Sequence, residues 1–253
     1  MIPLIDDVGT RMRTQSYITF MMAFINVAIF IWLAMRSLTN EPHHELFRFG
    51  LVPARLLSIR AWLNNAFGDG IVPLISFMFM HTDLFHLLSN MLFLWVFGRA
   101  VEGRIGVGRF LLLYMISGLA SGIGHSLVNA KSAVPVVGAS GAVAGILGAY
   151  LLLFPGSWVL IFILPVALFG LFLAVPSALV GIQLPRWVFG IIWLPAAIVL
   201  PYWFVLQLLN ALRTLSLGIQ SNIAWWAHIA GFVAGLWLAY KFKRSAKAYR
   251  HHN

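Results

Sequence analysis

The chain has 253 residues, 61% of them hydrophobic and 9% charged, with a mean hydropathy of +0.90. A soluble core with a wetted surface cannot be built from that composition, so the sequence reads as an all-α polytopic membrane protein embedded in a lipid bilayer. The net charge of +10 does not point to nucleic acid, because Lys and Arg sit at the ends of apolar runs; the absence of cysteine excludes disulfides, thiolate metal sites and a cysteine nucleophile.

A spanning helix needs about 20 largely uncharged residues. Six windows qualify in chain order: Tyr17 to Met35, Leu84 to Phe97 with its flanks, Phe110 to Val128, Ala139 to Phe154, Trp187 to Leu212 and Ile223 to Tyr240. They are too continuous for the alternating segments of a β-barrel. The leading MIPLIDDVGTRMRTQ lacks the apolar core and cleavage site of a signal peptide, so the first helix is expected to be retained. The long first loop, Arg36 to Asp83, mixes charges with the ten-residue run IVPLISFMFM, too short to cross, and is expected to cap the outer face as an amphipathic layer.

Ser157 to Ile182 is uncharged and long enough to span. Pro165, Pro176 and Pro185 interrupt it, however, and a seventh span would reverse the last helix and place its basic tail outside. It reads as an interfacial or re-entrant Pro-rich segment before the fifth helix. With six spans both termini share one side. Arg11 and Arg13, then Arg99, Arg104 and Arg109, then Lys241, Lys243, Arg244, Lys247 and Arg250 all fall on that side, which is therefore cytoplasmic. No tandem repeat divides the chain, so residues 1–253 are expected to form a single membrane domain with a short basic tail at 241–253. Without a targeting extension, the expected location is a bacterial plasma membrane.

Polar side chains inside a membrane bundle are costly and therefore mark functional sites. All seven acids lie at segment edges or in loops. Within the spans remain chiefly His86, Ser89, Asn90, His125, Ser140 and His228, besides Asn26 and Gln207. Helices two, four and six all run from outside to inside, so His86, Asn90, Ser140 and His228 share a depth near the outer leaflet, within roughly two helical turns at ~1.5 Å of rise per residue. His86 and Asn90, four apart, share a face. Ser140, Ala144 and Gly148 make one stripe of small residues, and His228, Gly231 and Gly235 make another. Packing these stripes together brings Ser140 and His228 within hydrogen-bond reach, which activation of a serine by a histidine base requires. Each feature alone is compatible with simple packing: His125 with an interfacial position, His81 with a bridge to the cap or a solvated side chain, and Asn90 with an interhelical hydrogen bond. Their conjunction at one depth points to chemistry.

Together the stretches GLVPARL, HTDLFHLLSNMLFLWVFG, VEGRIGVGRFLLLYMISG, GASGAVAGILGAYLLLFP and AWWAHIAGFVAG resemble the rhomboid intramembrane serine proteases over most of the chain. The resemblance implies a six-transmembrane-helix rhomboid-like bundle in which Ser140 is the nucleophile and His228 the general base. It implies a dyad without an acid partner, and no metal or cofactor. His86 and Asn90 are then oxyanion-hole donors, joined by the Ser140 backbone N–H at a helix N-terminus. Gly138 and Gly141 admit close approach of backbone and substrate, with His81 and Gly231 in supporting positions. Glu102 and Arg104 are similar to the family's structural pair. Thr82, Asp83 and Leu84 stand where many relatives carry Gly-Gly-Trp, which alters the rim of the site, and the stretch Phe162 to Pro201 is longer than usual.

The implied activity is hydrolysis of single-span transmembrane protein substrates near their outer membrane boundary. No HExxH zinc helix and no pair of intramembrane aspartates offers another protease chemistry, and no helix-centre charge or inverted repeat supports a transporter. The alternative is a catalytically silent rhomboid-like protein that binds or escorts membrane clients.

Overall fold

The structure is a computed structural model, and it describes residues 1–8, 16–37, 42–163, 185–219 and 223–250 together with positions 166, 168 and 221. In chain order the long helices among the described residues are α1 (Tyr17–Ser37), α2 (Leu84–Ile105), α3 (Val107–Val128), α4 (Ser140–Leu153), α5 (Ala196–Leu217) and α6 (Trp225–Arg250). Helices α1, α2, α3 and α5 are long and apolar enough to cross a membrane, and α4 is a shorter apolar helix.

Helix α4 is the axis of the fold. Every residue from Gly141 to Tyr150 is buried, as a helix that is apolar on all sides requires. Small residues make this burial possible. A Cβ on Gly141 or Gly145 would overlap the side chains of Ser121 and Ser117 on α3, and a Cβ on Gly231 or Gly235 of α6 would overlap the carbonyls of Gly141 and Gly145. The α4–α6 contact thus runs through Gly141, Gly145 and Gly148: Gly148 lies in it as expected, while Gly141 and Gly145 take the places expected for Ser140 and Ala144, one position on. That rotation turns Ser140 and Ala144 toward a cavity and gives the backbone contact to residues with no side chain. At the other end of α4, Tyr150 stacks edge-on against Phe97 of α2 at 4.9 Å.

Glu102, near the end of α2, accepts hydrogen bonds from the backbone N–H groups of Ile18 and Thr19 at 2.9 and 2.8 Å and from the Thr19 hydroxyl at 2.7 Å. It therefore caps the N-terminus of α1, where free N–H groups and the helix dipole favour a carboxylate. Glu102 of the expected structural pair thus holds a helix end, and Arg104 is exposed.

The expectation of an all-α chain is corrected by a three-stranded antiparallel sheet of β1 (Ile2–Asp6), β2 (Trp158–Phe162) and β3 (Ile191–Pro195), with β2 central. Strand β2 alternates faces, Val159 and Ile161 being fully buried while Trp158 is exposed, and its aromatic and β-branched residues suit a pleated half-buried surface. Asp6 ties β1 to the bundle, and Asp7, just after it, ties the chain to the start of β2. The Tyr150 hydroxyl donates to Asp6 at 2.8 Å, and the backbone N–H of Trp158 donates to Asp7 at 3.0 Å. The fifth window therefore begins as a 3₁₀ turn (Arg186–Phe189) and strand β3, and its helix starts only at Ala196. The proposed interfacial or re-entrant segment opens as strand β2, and most of its remainder lies outside the described residues, as do Arg11 and Arg13.

The first loop folds into short helical pieces between Pro42 and Phe79. It is clipped to the segment preceding α4 by a two-way bridge between Leu51 and Val136, 3.0 and 2.8 Å, and by donation of the Gly138 N–H to the Phe77 carbonyl at 2.8 Å.

Candidate active site

Ser140 is the first residue of α4, so its N–H belongs to a helical turn with no intrahelical acceptor. His228 lies in the first turn of α6. Because Gly231 and Gly141 let the two backbones touch, the His228 Nε2 and Ser140 Oγ are 2.9 Å apart, a hydrogen bond that crosses from helix to helix. Nδ1 of the same imidazole lies 2.8 Å from Oε1 of Gln207 on α5. The ring packs beside Trp203, also on α5, at 6.0 Å between centroids, and meets Trp225 edge-on at 6.2 Å.

His86 reaches the serine from the other side. Asp83 occupies the N-cap of α2 and accepts the His86 backbone N–H at 2.8 Å, while the Thr82 hydroxyl donates to the second Asp83 oxygen at 3.0 Å. The His86 N–H holds the Asp83 carboxyl below its ordinary range, as a good N-cap should. The imidazole of His86 lies over Gly138: a Cβ there would sit 2.8 Å from Nε2 and 3.7 Å from the Ser140 Oγ. With φ of 128°, Gly138 is required on both conformational and spatial grounds. Asn90, one turn further along α2, is buried and uses one N–H to bond the His86 carbonyl at 2.9 Å, leaving its second for the cavity it lines.

His81 is not solvated. It is 2% exposed, stacks edge-on with His86 at 4.9 Å, and accepts the Ala139 N–H at Nε2 over 3.5 Å. Burial, with help from nearby His86, pushes its pKa down to about 4, so at neutral pH it is the uncharged acceptor this bond needs. His125, expected at the interface, lines the cavity instead.

Ser140, His86, Asn90 and His228 open together onto a cavity of about 1030 Å³ that also takes in Ser121, His125 and Trp203. The four residues anticipated at one depth are thus assembled at one place. Two supports were not assigned from the sequence. Gln207 stood out only as a polar residue within a span, and Trp203 not at all; their four-residue spacing on a largely apolar helix is the signal that links them.

The rhomboid domain model matches residues 69–245, more than half of the chain. The chain belongs to the rhomboid family. As a rhomboid it is a multi-pass integral membrane protein, in keeping with its apolar helices. It is similar to Rhomboid protein 1, mitochondrial, of Saccharomyces cerevisiae, 36% identical over 117 residues that cover 44% of this chain and 34% of the yeast protein. It is similar also to Rhomboid protease GluP of Bacillus subtilis, 33% identical over 134 residues, 53% of this chain and 24% of that one. Rhomboid protease GlpG of Yersinia enterocolitica is 30% identical over 168 residues, 66% of this chain and 46% of the relative. The matched region spans about a third or less of the first two relatives, so the likeness concerns this rhomboid core.

Proposed function

We propose that this rhomboid is an intramembrane serine endopeptidase that cleaves single-span membrane proteins near their outer boundary. The observation that carries the reading is the 2.9 Å bond between Ser140 Oγ and His228 Nε2 at the edge of a large cavity.

In this reading, Oγ attacks the scissile carbonyl carbon as His228 Nε2 takes the hydroxyl proton, and the carbonyl π pair moves onto oxygen. His86, the second Asn90 N–H and the Ser140 backbone N–H receive that oxyanion, each donor worth on the order of 10²-fold in rate. The protonated His228 then delivers its proton to the amide nitrogen, the C–N bond breaks, and an acyl-serine remains. A water then attacks the ester carbonyl carbon as His228 takes its proton; the C–Oγ bond breaks, the imidazolium gives that proton to Oγ, and the acyl group leaves as a carboxylic acid. Substrate helices must unwind locally before attack, because a helix ties up its amides in internal bonds. The cavity is lined by polar side chains such as Ser89, Asn129 and Ser132 that can partner such a strand.

The arrangement fits one membrane domain of six spans, α1 to α6, with both termini cytoplasmic, the dyad near the outer leaflet and a bacterial plasma membrane as its location. Labelling of the detergent-solubilised protein with a fluorophosphonate, compared with Ser140→Ala and His228→Ala, tests the dyad: wild type should label and both variants should not. Equal labelling of all three refutes it. A wild type that binds a model single-span protein without cutting it is instead a silent, client-binding rhomboid.

A further inference from the structure

The dyad has a third member, supplied by a helix that carries neither of the reacting groups. Gln207 is 7% exposed, on α5, and Val199, Trp203 and Ala211 continue its inward stripe at four-residue spacing. A buried side-chain amide without a partner costs about 1–3 kcal/mol, so its placement needs a reason. That reason is the 2.8 Å contact of Oε1 with Nδ1 of His228. We infer that Gln207 is the positioning residue of the catalytic base, holding His228 in the one tautomer and ring angle that leave Nε2 free to take the Ser140 proton. This rests on the serine-protease reading and adds a residue to it.

The chemistry follows from the inventory of the two groups. A carbonyl oxygen only accepts, so Nδ1 facing it must carry the hydrogen, and a neutral imidazole with its proton on Nδ1 presents a bare lone pair at Nε2. Rotation of the ring, the other way to lose the serine contact, is opposed by Trp203 tilted beside it at 6.0 Å and Trp225 at its edge. Trp203 and Gln207 lie one turn apart, so docking of α5 delivers indole and acceptor together. As positive charge develops on the imidazole during attack, the Nδ1–H···O bond shortens and strengthens, which stabilises the transition state more than the resting state. An amide is the acceptor suited to this place. A carboxylate at the same spot would need several kcal/mol of desolvation within the apolar bundle, whereas a neutral oxygen orients the ring at little cost. Gln207 is not among the residues that line the cavity, so it acts through His228 and does not touch substrate.

The test compares wild type with Gln207→Leu, which keeps the bulk and removes the acceptor, and Gln207→Glu, whose carboxyl, kept neutral by the apolar bundle, retains an acceptor carbonyl oxygen without the cost of a buried charge. Gln207→Met serves as a second acceptor-free variant should leucine impair folding. Three readouts are taken on the full chain in detergent: kcat and KM for a model single-span substrate, the rate of fluorophosphonate labelling, and ¹⁵N shifts of the histidine rings with His228 assigned by difference against His228→Ala. The acceptor-free variants should lose about 10- to 10²-fold in kcat and labelling rate with KM within about twofold. Their His228 should shift from an Nδ1–H form to a mixture of tautomers, and Gln207→Glu should recover most of the rate and the Nδ1–H signature. A folded acceptor-free variant with wild-type kcat overturns the assignment, as does a loss of rate with the tautomer unchanged. Failure of the protease reading is separable: a wild type that neither labels nor cleaves removes the reaction, while the ¹⁵N comparison still decides whether Gln207 sets the tautomer.

Discussion

Substituting alanine for Gly231 tests whether backbone contact between α4 and α6 sets the dyad. A Cβ at this position falls on the carbonyl of Gly141, and no rotamer change can move those backbone atoms aside. To reach even the 3.0 Å below which Cβ atoms are essentially never found, α6 must retreat from α4 by roughly 1 Å, a local overpacking that costs about 1–3 kcal/mol. His228 is three residues before Gly231 and shares its face, so the retreat carries the imidazole with it. Added to the present 2.9 Å, the same displacement takes Nε2 to about 4 Å from Oγ, beyond hydrogen-bond reach. Fluorophosphonate labelling should then fall on the order of 10²-fold, the usual penalty for a 1 Å misplacement of a reacting group. The melting temperature in detergent should fall by about 2–4 °C for each kcal/mol lost. Labelling is read well below the variant's melting temperature, so that unfolding does not contribute. Gly108→Ala is the control: nothing lies within 4 Å of a Cβ at Gly108, on the first turn of α3, and its stability and labelling should match or exceed wild type. If Gly231→Ala labels within twofold of wild type at an unchanged melting temperature, the glycine contact does not position the dyad.

Three further outcomes follow from the same geometry. Glu102→Ala leaves the donors of Ile18 and Thr19 unpaired and should cost on the order of 3 kcal/mol in detergent unfolding, with Glu102→Gln losing less because one acceptor remains. Asp83→Ala removes the N-cap of α2, which should lower stability by about 1 kcal/mol and, because His86 sits on that turn, slow labelling several-fold. For His81 the folded pKa of about 4 lies below the ordinary 6.5, so the unfolded chain binds a proton that the folded one refuses. Stability from this group is whole above pH 6.5 and is lost as pH falls toward 4, by up to about 3 kcal/mol. Unfolding curves from pH 7 to 4 should be shallower in His81→Gln by that difference.

Some of this architecture could be read directly from residue order. Ser140, His86, Asn90 and His228 can be placed at one depth from residue order because each lies toward the N-terminal start of its helix, and relative depth needs only helix rise and direction. Facing was harder. The stripe through Ser140 and Ala144 was off by one position, because which small residue touches the neighbouring backbone depends on helix rotation. Gln207 illustrates the limit: its four-residue spacing from Trp203 puts the two on one face, but its partner is fixed by how α5 docks on α6, a tertiary quantity. The strands fail for a different reason. WVLIF and IIWLP are short apolar runs that hydrophobicity cannot tell from helix, and β1, which pairs with β2, lies over 150 residues away in the chain. His81 is ambiguous in sequence because burial of a loop histidine is set by tertiary packing, here against the His86 ring and the Ala139 N–H.

The Glu102 cap has a consequence for dissecting the molecule. The family match begins at residue 69, which invites a minimal version lacking the first helix. Such a fragment would strand a carboxylate, 2% exposed in the whole chain, beneath the vacated position of α1 with none of its three donors. The first helix is thus inseparable from the core, and trimming at the family boundary would have to replace Glu102 together with the helix it holds.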